Sequence, residues 1–337
     1  MQRAAILKEI NKFPEIEDFP DEEPEDNEVL IEQNETGICY RDILTMKGFF
    51  PRVTLPIVPG HEISGKVVKI GKNVTKFKVG DRVSSLIYVP CGKCEYCLSG
   101  RENLCRNKRT FGESLNGAYK KYIRVPEISL VKVPDGVGEE EAVIAACVTG
   151  MLIQAMRVNG GLSEGQWVLV TGAGGGVGSH AVQVSKAYGA KVIAETSSPW
   201  KKELLEKLGA DYVIEKENME RKVKEITGDG VHLALESVGR PTFNEAFRSL
   251  RFGGSVVVVG NVDVTPVNLP LGNLILKGNK VIGSISSTKR DMEEALRLSK
   301  EGKIKAIVGK KFDLNNVKEA YEALDRKEIF GRAFLKL

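Results

Sequence analysis

Four cysteines, Cys91, Cys94, Cys97 and Cys105, carry the clearest chemical statement in this chain. Three fall within Cys91-Gly92-Lys93-Cys94-Glu95-Tyr96-Cys97, and the fourth follows eight residues on. Four thiolates at such short spacing can close a tetrahedral shell around one Zn²⁺. A filled shell has no position for substrate, so this lobe, residues 88–110, reads as a structural site. Two cysteines remain, Cys39 and Cys147. With His61, in Gly60-His61-Glu62, they make a Cys₂His set, the type that leaves a fourth zinc position for water or substrate. Spacing alone leaves open whether these three distant residues bind metal or are ordinary core residues.

A second group of residues offers to hold an anion. Gly172-Ala173-Gly174-Gly175-Gly176-Val177-Gly178 lies between the apolar run Trp167-Val168-Leu169-Val170 and a helical pattern from Ser179 to Tyr188. Glycines there permit a tight turn, close approach to a pyrophosphate, and packing of the helix on the sheet. The next strand, from Lys191, ends near Glu195, Thr196, Ser197 and Ser198, with Lys201 just beyond. Hydroxyls and an ammonium suit the 2′-phosphate of NADPH. Glu195, which could bind a ribose hydroxyl instead, keeps NADH open.

The elements that must position these residues fall into two textures. Up to about residue 150, short β-rich runs such as 28–32, 63–70 and 80–83 alternate with Gly and Pro, as in a compact, mostly antiparallel barrel. From about 162, strands at 167–170, 191–194, 212–214, 231–235 and 255–259 alternate with helices at 179–188, 200–208, 219–226 and 242–250. That alternation predicts a doubly wound parallel sheet, and an α/β class overall. Two further helices, 289–301 and 315–325, precede a tail that returns to the first domain. The expected domains are therefore 1–148 with 287–337, and 149–286.

The chain has 337 residues, 42% hydrophobic and 28% charged, with a net charge of +4. These values describe a globular protein without the basic stripe of a nucleic-acid binder. No apolar run approaches the roughly 18 residues that span a bilayer. The opening residues lack a signal-peptide pattern, which makes the cytoplasm the expected location. In a cytosolic chain, clustered cysteines read as metal sites rather than disulfides.

Taken together and in order, Gly37-Ile38-Cys39, Gly60-His61-Glu62, the four-cysteine lobe, Cys147 and the glycine-rich loop resemble the zinc-containing medium-chain dehydrogenase/reductase family, which includes the alcohol dehydrogenases. The resemblance implies a GroES-like catalytic domain and a Rossmann domain. It implies two Zn²⁺ per chain: a catalytic ion on Cys39, His61 and Cys147, which Glu62 can approach, and a structural ion on the lobe. It also implies hydride exchange between a nicotinamide cofactor and a small alcohol or aldehyde, in a homodimer or homotetramer.

One departure stands out. The family's alcohol dehydrogenases usually carry Ser or Thr two residues after the first cysteine ligand, to relay the alcohol proton. Here that position is Arg41, preceded by Tyr40. Arginine stays protonated and cannot accept that proton. Proton delivery would need water or Tyr40, and Arg41 could instead bind an anionic or carbonyl-bearing substrate or sit in a structural ion pair. Cys39-Tyr40-Arg41-Asp42, Gly48-Phe49-Phe50-Pro51-Arg52, Cys147-Val148-Thr149-Gly150-Met151, Gly260-Asn261-Val262-Asp263 and Ser287-Thr288-Lys289-Arg290-Asp291 resemble the archaeal acryloyl-CoA reductases of the same family. That makes a CoA thioester the alternative substrate. A non-catalytic NADPH-binding protein is a third possibility.

Overall fold

The computed structural model describes every residue except 263 and 264. Asp263, the last residue of one resemblance motif, therefore lies outside the described residues. The chain divides into two compact units. One comprises Met1–Gly150, Ser286–Gly302 and Val308–Leu337, and the other Met151–Ile285 with Lys303–Ile307.

The first unit is built on a five-stranded antiparallel sheet. Its order is Leu130–Lys132, Arg82–Ser85, Ser64–Ile70, Glu28–Glu32, Tyr122–Pro126. Its strands bury one face, with Val29, Ile31, Val67, Val83, Ile123 and Val125 in a common core. That alternation is what an antiparallel sheet with one solvated face requires. A three-stranded sheet sets Arg332–Lys336 antiparallel to Glu35–Ile38 and parallel to Val308–Asp313. The end of the chain is thus hydrogen-bonded to the strand that leads into Cys39. Helix Lys289–Lys300 starts at a capping box, in which Thr288 and Asp291 satisfy each other's backbone amides.

The second unit is a six-stranded parallel sheet. Its order is Tyr212–Ile214, Lys191–Glu195, Trp167–Val170, Val231–Glu236, Leu250–Val258, Lys280–Gly283. In sequence this is 3-2-1-4-5-6, the Rossmann order, which puts the glycine-rich turn at the point where the strand order reverses. Val168, Leu169 and Val170 are fully buried, as a central parallel strand covered on both faces must be. The predicted helix 200–208 is divided: Pro199 opens a 3₁₀ turn, Pro199–Lys201, before Lys202–Lys207 becomes α-helical. The strand expected at 255–259 begins earlier, at Leu250, and shortens the preceding helix to Phe243–Arg248. Among the described residues, no helix is long and apolar enough to cross a membrane.

Candidate metal centre and nucleotide loop

The fold gathers Cys39, His61, Glu62 and Cys147 so that their ligand atoms lie within 4.8 Å of one another. Cys39 stands at the junction of strand Glu35–Ile38 and helix Tyr40–Met46. Asp42, three residues on, caps that helix by accepting the Cys39 N–H on Oδ2 at 2.9 Å. The same oxygen accepts the Tyr119 hydroxyl at 3.0 Å, while Oδ1 faces His61 Nδ1 at 3.0 Å. In its neutral form, with Nδ1–H donating to Asp42, the imidazole would present the Nε2 lone pair, and Nε2 lies 3.2 Å from Cys147 Sγ. Burial acts against protonation of His61, but Asp42 overrides it and raises the pKa to about 9.

Cys147 lies on a π-helical stretch, Ala145–Gly150, closed by bonds such as Thr149 N–H to the Ile144 carbonyl at 3.1 Å. Widened turns of this kind recur at functional sites. Its sulfur is 3.9 Å from that of Cys39. The Cys39 thiol is held well below its ordinary pKa, first by its hydrogen bond with Cys147, with further help from Arg332 and His61.

Glu62 completes the group in a different way. Its carboxylate is fully buried and ion-paired with Arg332, whose Nε lies 3.3 Å from Oε2. A Cβ at Gly37 would sit 1.8 Å from Glu62 Oε2, so glycine at position 37 clears room for this carboxylate. Two sulfurs and one oriented imidazole nitrogen fit a zinc ion with one open position, and the buried carboxylate that fixes the imidazole is the usual outer partner of such a ligand.

The second cysteine group is local. The ligand atoms of Cys91, Cys94, Cys97 and Cys105 also lie within 4.8 Å of one another. Cys94 and Cys97 sulfurs are 3.5 Å apart, and Cys91 and Cys97 sulfurs 3.9 Å, far beyond disulfide length. The Cys91 N–H donates to Cys105 Sγ at 3.4 Å. The Lys93 amide draws the Cys91 thiol down to about 6, while burial pushes Cys97 up to about 12. Four sulfurs converging on one point have the chemistry of a closed zinc shell.

In the second unit, Gly172 takes φ +60°, which turns the chain from strand Trp167–Val170 toward helix Gly176–Ala187. A Cβ on Gly178 would lie 2.4 Å from the Gly172 carbonyl oxygen, so this glycine lets the helix pack on the turn. Gly175 is exposed, and beside it Gly176 and Val177 open the 12-residue helix. Unpaired N–H groups of the helix start favour an anion there. At the tip of the second strand, Ser197 is exposed, Ser198 half-buried and Thr196 buried. Lys201 is buried, donates from Nζ to the Gly174 carbonyl at 3.1 Å, and lies 5.0 Å from the Trp200 ring centroid. Glu195 is engaged at the turn: its carboxylate accepts the Gly172 N–H at 2.8 Å, and burial raises its pKa.

Comparison with known proteins bears on the family and the fold. Residues 25–135 match the alcohol dehydrogenase GroES-like domain, and residues 176–301 match the zinc-binding dehydrogenase model. An acryloyl-coenzyme A reductase of Sulfurisphaera tokodaii is 43% identical over 95% of this chain and 96% of its own. The chain belongs to the zinc-binding dehydrogenase family. An alcohol dehydrogenase of Geobacillus stearothermophilus is 36% identical over 99% of both chains. The crystal structure of AibC superimposes with a TM-score of 0.93 at 36% identity, covering 99% of this chain and 95% of that one. This zinc-binding dehydrogenase is accordingly an NAD(P)-dependent oxidoreductase.

Within this dehydrogenase, the two residues after Cys39 point to other partners. Tyr40 donates its hydroxyl to Asp325 at 2.9 Å, and burial with that carboxylate raises its pKa to about 12. Its hydroxyl is thus engaged by Asp325. Arg41 pairs with Glu113, from its Nε at 3.0 Å and from Nη2, and stacks on Phe50 with 4.7 Å to the ring centroid. Burial works against the Arg41 charge, but Glu113, with Cys39 and Cys147 behind it, keeps it protonated. Asp42, Tyr119, Glu113 and Arg332 were not anticipated from sequence. Asp42 did carry a signal, its capping position three residues after Cys39. Glu113 and Arg332 carried none, because each arrives from a remote strand or turn.

Proposed function

We propose that this zinc-binding dehydrogenase reduces short 2-enoyl-CoA thioesters of the acryloyl-CoA kind, using NADPH. One observation carries the reading: neither side chain that follows Cys39 is placed to take a proton, because Tyr40 is hydrogen-bonded to Asp325 and Arg41 is a cation paired with Glu113. Alcohol oxidation needs a group that takes the substrate's hydroxyl proton. Reduction of a conjugated thioester needs positive charge beside the carbonyl oxygen, where electrons collect as hydride reaches the β-carbon. Arg41, held by Glu113 and Phe50, is a fixed cation close enough to Cys39 and Cys147 for their sulfurs to favour its charge. A solvent proton then completes the α-carbon. The 43% identity to an acryloyl-coenzyme A reductase supports the same substrate class.

Bound zinc would supply Lewis-acid polarisation of the carbonyl, and bound NADPH the hydride. Cys39, His61 and Cys147 are the residues to hold that zinc, with Glu62 restrained by Arg332 as the approaching carboxylate. Cys91, Cys94, Cys97 and Cys105 would hold a second, structural ion. NADPH is favoured over NADH because Glu195 is spent on the Gly172 amide, leaving Thr196, Ser197, Ser198 and Lys201 at the tip. Two clusters of free thiols suit a reducing compartment, the cytoplasm.

The second reading is aldehyde reduction, favoured by the 36% identity to an alcohol dehydrogenase. NADPH oxidation measured with acryloyl-CoA beside a panel of aldehydes separates the two. The expected result is fast turnover of acryloyl-CoA and slow turnover of every aldehyde; good aldehyde reduction without acryloyl-CoA turnover would reject the thioester reading.

A homodimer completes the proposal. Lys280–Gly283 is an edge strand, and beside it helix Leu271–Lys277 exposes Leu271 at 60%, Ile275 at 75% and Leu276 at 79%. An open edge next to exposed apolar side chains is a natural surface for a second copy. Ile275→Glu should lower the solution mass measured by light scattering; an unchanged mass would place the interface elsewhere.

A further inference from the structure

In the glycine-rich turn, Gly174 is explained neither by the backbone nor by the helix packing. Gly172 needs its positive φ of +60°, and Gly178 needs its closeness to Gly172 and Ala173. Gly174 has no left-handed φ, and a Cβ there would not strike the turn itself. It would meet Lys201 Cδ at 2.4 Å and Thr196 Oγ1 at 3.2 Å. The space that Gly174 leaves is occupied by the stem of Lys201.

Lys201 is itself unusual. It is only 3% exposed, whereas lysines are seldom buried. Its ammonium donates to the Gly174 carbonyl at 3.1 Å and lies 5.0 Å from the centroid of the Trp200 ring. A cation fixed before the ligand arrives loses little rotamer freedom on binding, which favours affinity. Thr196 of the strand tip faces the same Gly174 position as the Lys201 stem.

We infer that Gly174 is a positioning residue for cofactor choice: its missing side chain seats Lys201 across the turn, where the ammonium receives the 2′-phosphate of an adenine dinucleotide. This rests on the NADPH reading and deepens it, assigning the selectivity to a glycine that touches the ligand only through a lysine. The ammonium gains a charge-assisted hydrogen bond to the phosphate while keeping its hold on Gly174.

The test uses the full chain and two nucleotide fragments, 2′,5′-ADP and 5′-AMP, titrated by calorimetry into wild type, Gly174→Ala, Lys201→Met and the double variant. Lys201→Met keeps the buried stem and removes the charge. Gly174→Ala displaces a flexible side chain rather than backbone, so both variants should melt cooperatively. Wild type should prefer 2′,5′-ADP, and each single variant should lose about tenfold of that preference, the range of a charged hydrogen bond. The double variant should be no worse than Lys201→Met, because both changes remove the same ammonium. A Gly174→Ala protein that keeps the wild-type ratio would overturn the inference and leave NADPH in place. So would equal weakening of both fragments, which marks simple distortion of the loop, or a double variant showing the product of the two losses. No preference in the wild type would instead overturn the NADPH reading, and the inference with it.

Discussion

The two cysteine clusters use similar atoms in opposite ways. The lobe draws its four sulfurs from residues 91–105, wraps them around the short helix Glu95–Leu98, and leaves Cys91, Cys94 and Cys97 partly exposed. The buried cluster, in which His61 and Glu62 are buried while Cys39 and Cys147 are themselves partly exposed, joins Cys39 to Cys147 across 108 positions and brings His61 to Cys147. It also recruits residues that bind no metal: Asp42 orients His61, Tyr119 orients Asp42, and Arg332 neutralises Glu62. A site that only holds an ion can close on itself. A site that must keep one position open relies on the surrounding core to fix what remains.

If that contrast is right, the buried cluster should be sensitive to residues that are not ligands. The largest effect is expected at Arg332. Arg332→Met leaves Glu62 buried without its counter-charge, which costs about 3–5 kcal/mol for a pair broken on one side. Urea unfolding should show the loss, and adding Glu62→Gln should recover much of it. Unchanged stability in the single variant would mean that Glu62 has another partner. A smaller effect is expected at Asp42. Asp42→Asn retains the helix start but weakens the hold on the His61 ring, and should lower zinc affinity of the buried cluster by about 10–100-fold. Chelator competition should detect that drop in one of the two ions only. Equal weakening of both would erase the distinction between the clusters.

The sequence shows these two regions with unequal clarity, for physical reasons. The lobe is legible because its geometry is local, so spacing alone implies a closed shell. Trp167–Val170 and the glycine-rich turn are legible because a parallel strand buried on both faces reads as a continuous apolar run. Lys280–Gly283 escapes because an edge strand of four residues with an exposed face carries no such run. Around the buried cluster, residue types point to chemistry but directions do not. Tyr40 and Arg41 stand beside Cys39 in sequence, yet the first turn of helix Tyr40–Met46 sends one to Asp325 and the other to Glu113. Arg332 belongs to the last strand and reaches Glu62 through strand pairing that no local pattern encodes.

The division of labour between the clusters is tested most directly by metal analysis paired with NADPH oxidation in Cys39→Ala and Cys94→Ser. Wild type should carry about two zinc ions per chain. Cys39→Ala should keep the lobe's ion, lose the other, and lose turnover. Cys94→Ser should lose the lobe's ion and melt at a lower temperature, while its folded fraction still oxidises NADPH. A Cys39→Ala enzyme that stays active, or a Cys94→Ser enzyme that folds stably but is dead, would contradict the assignment.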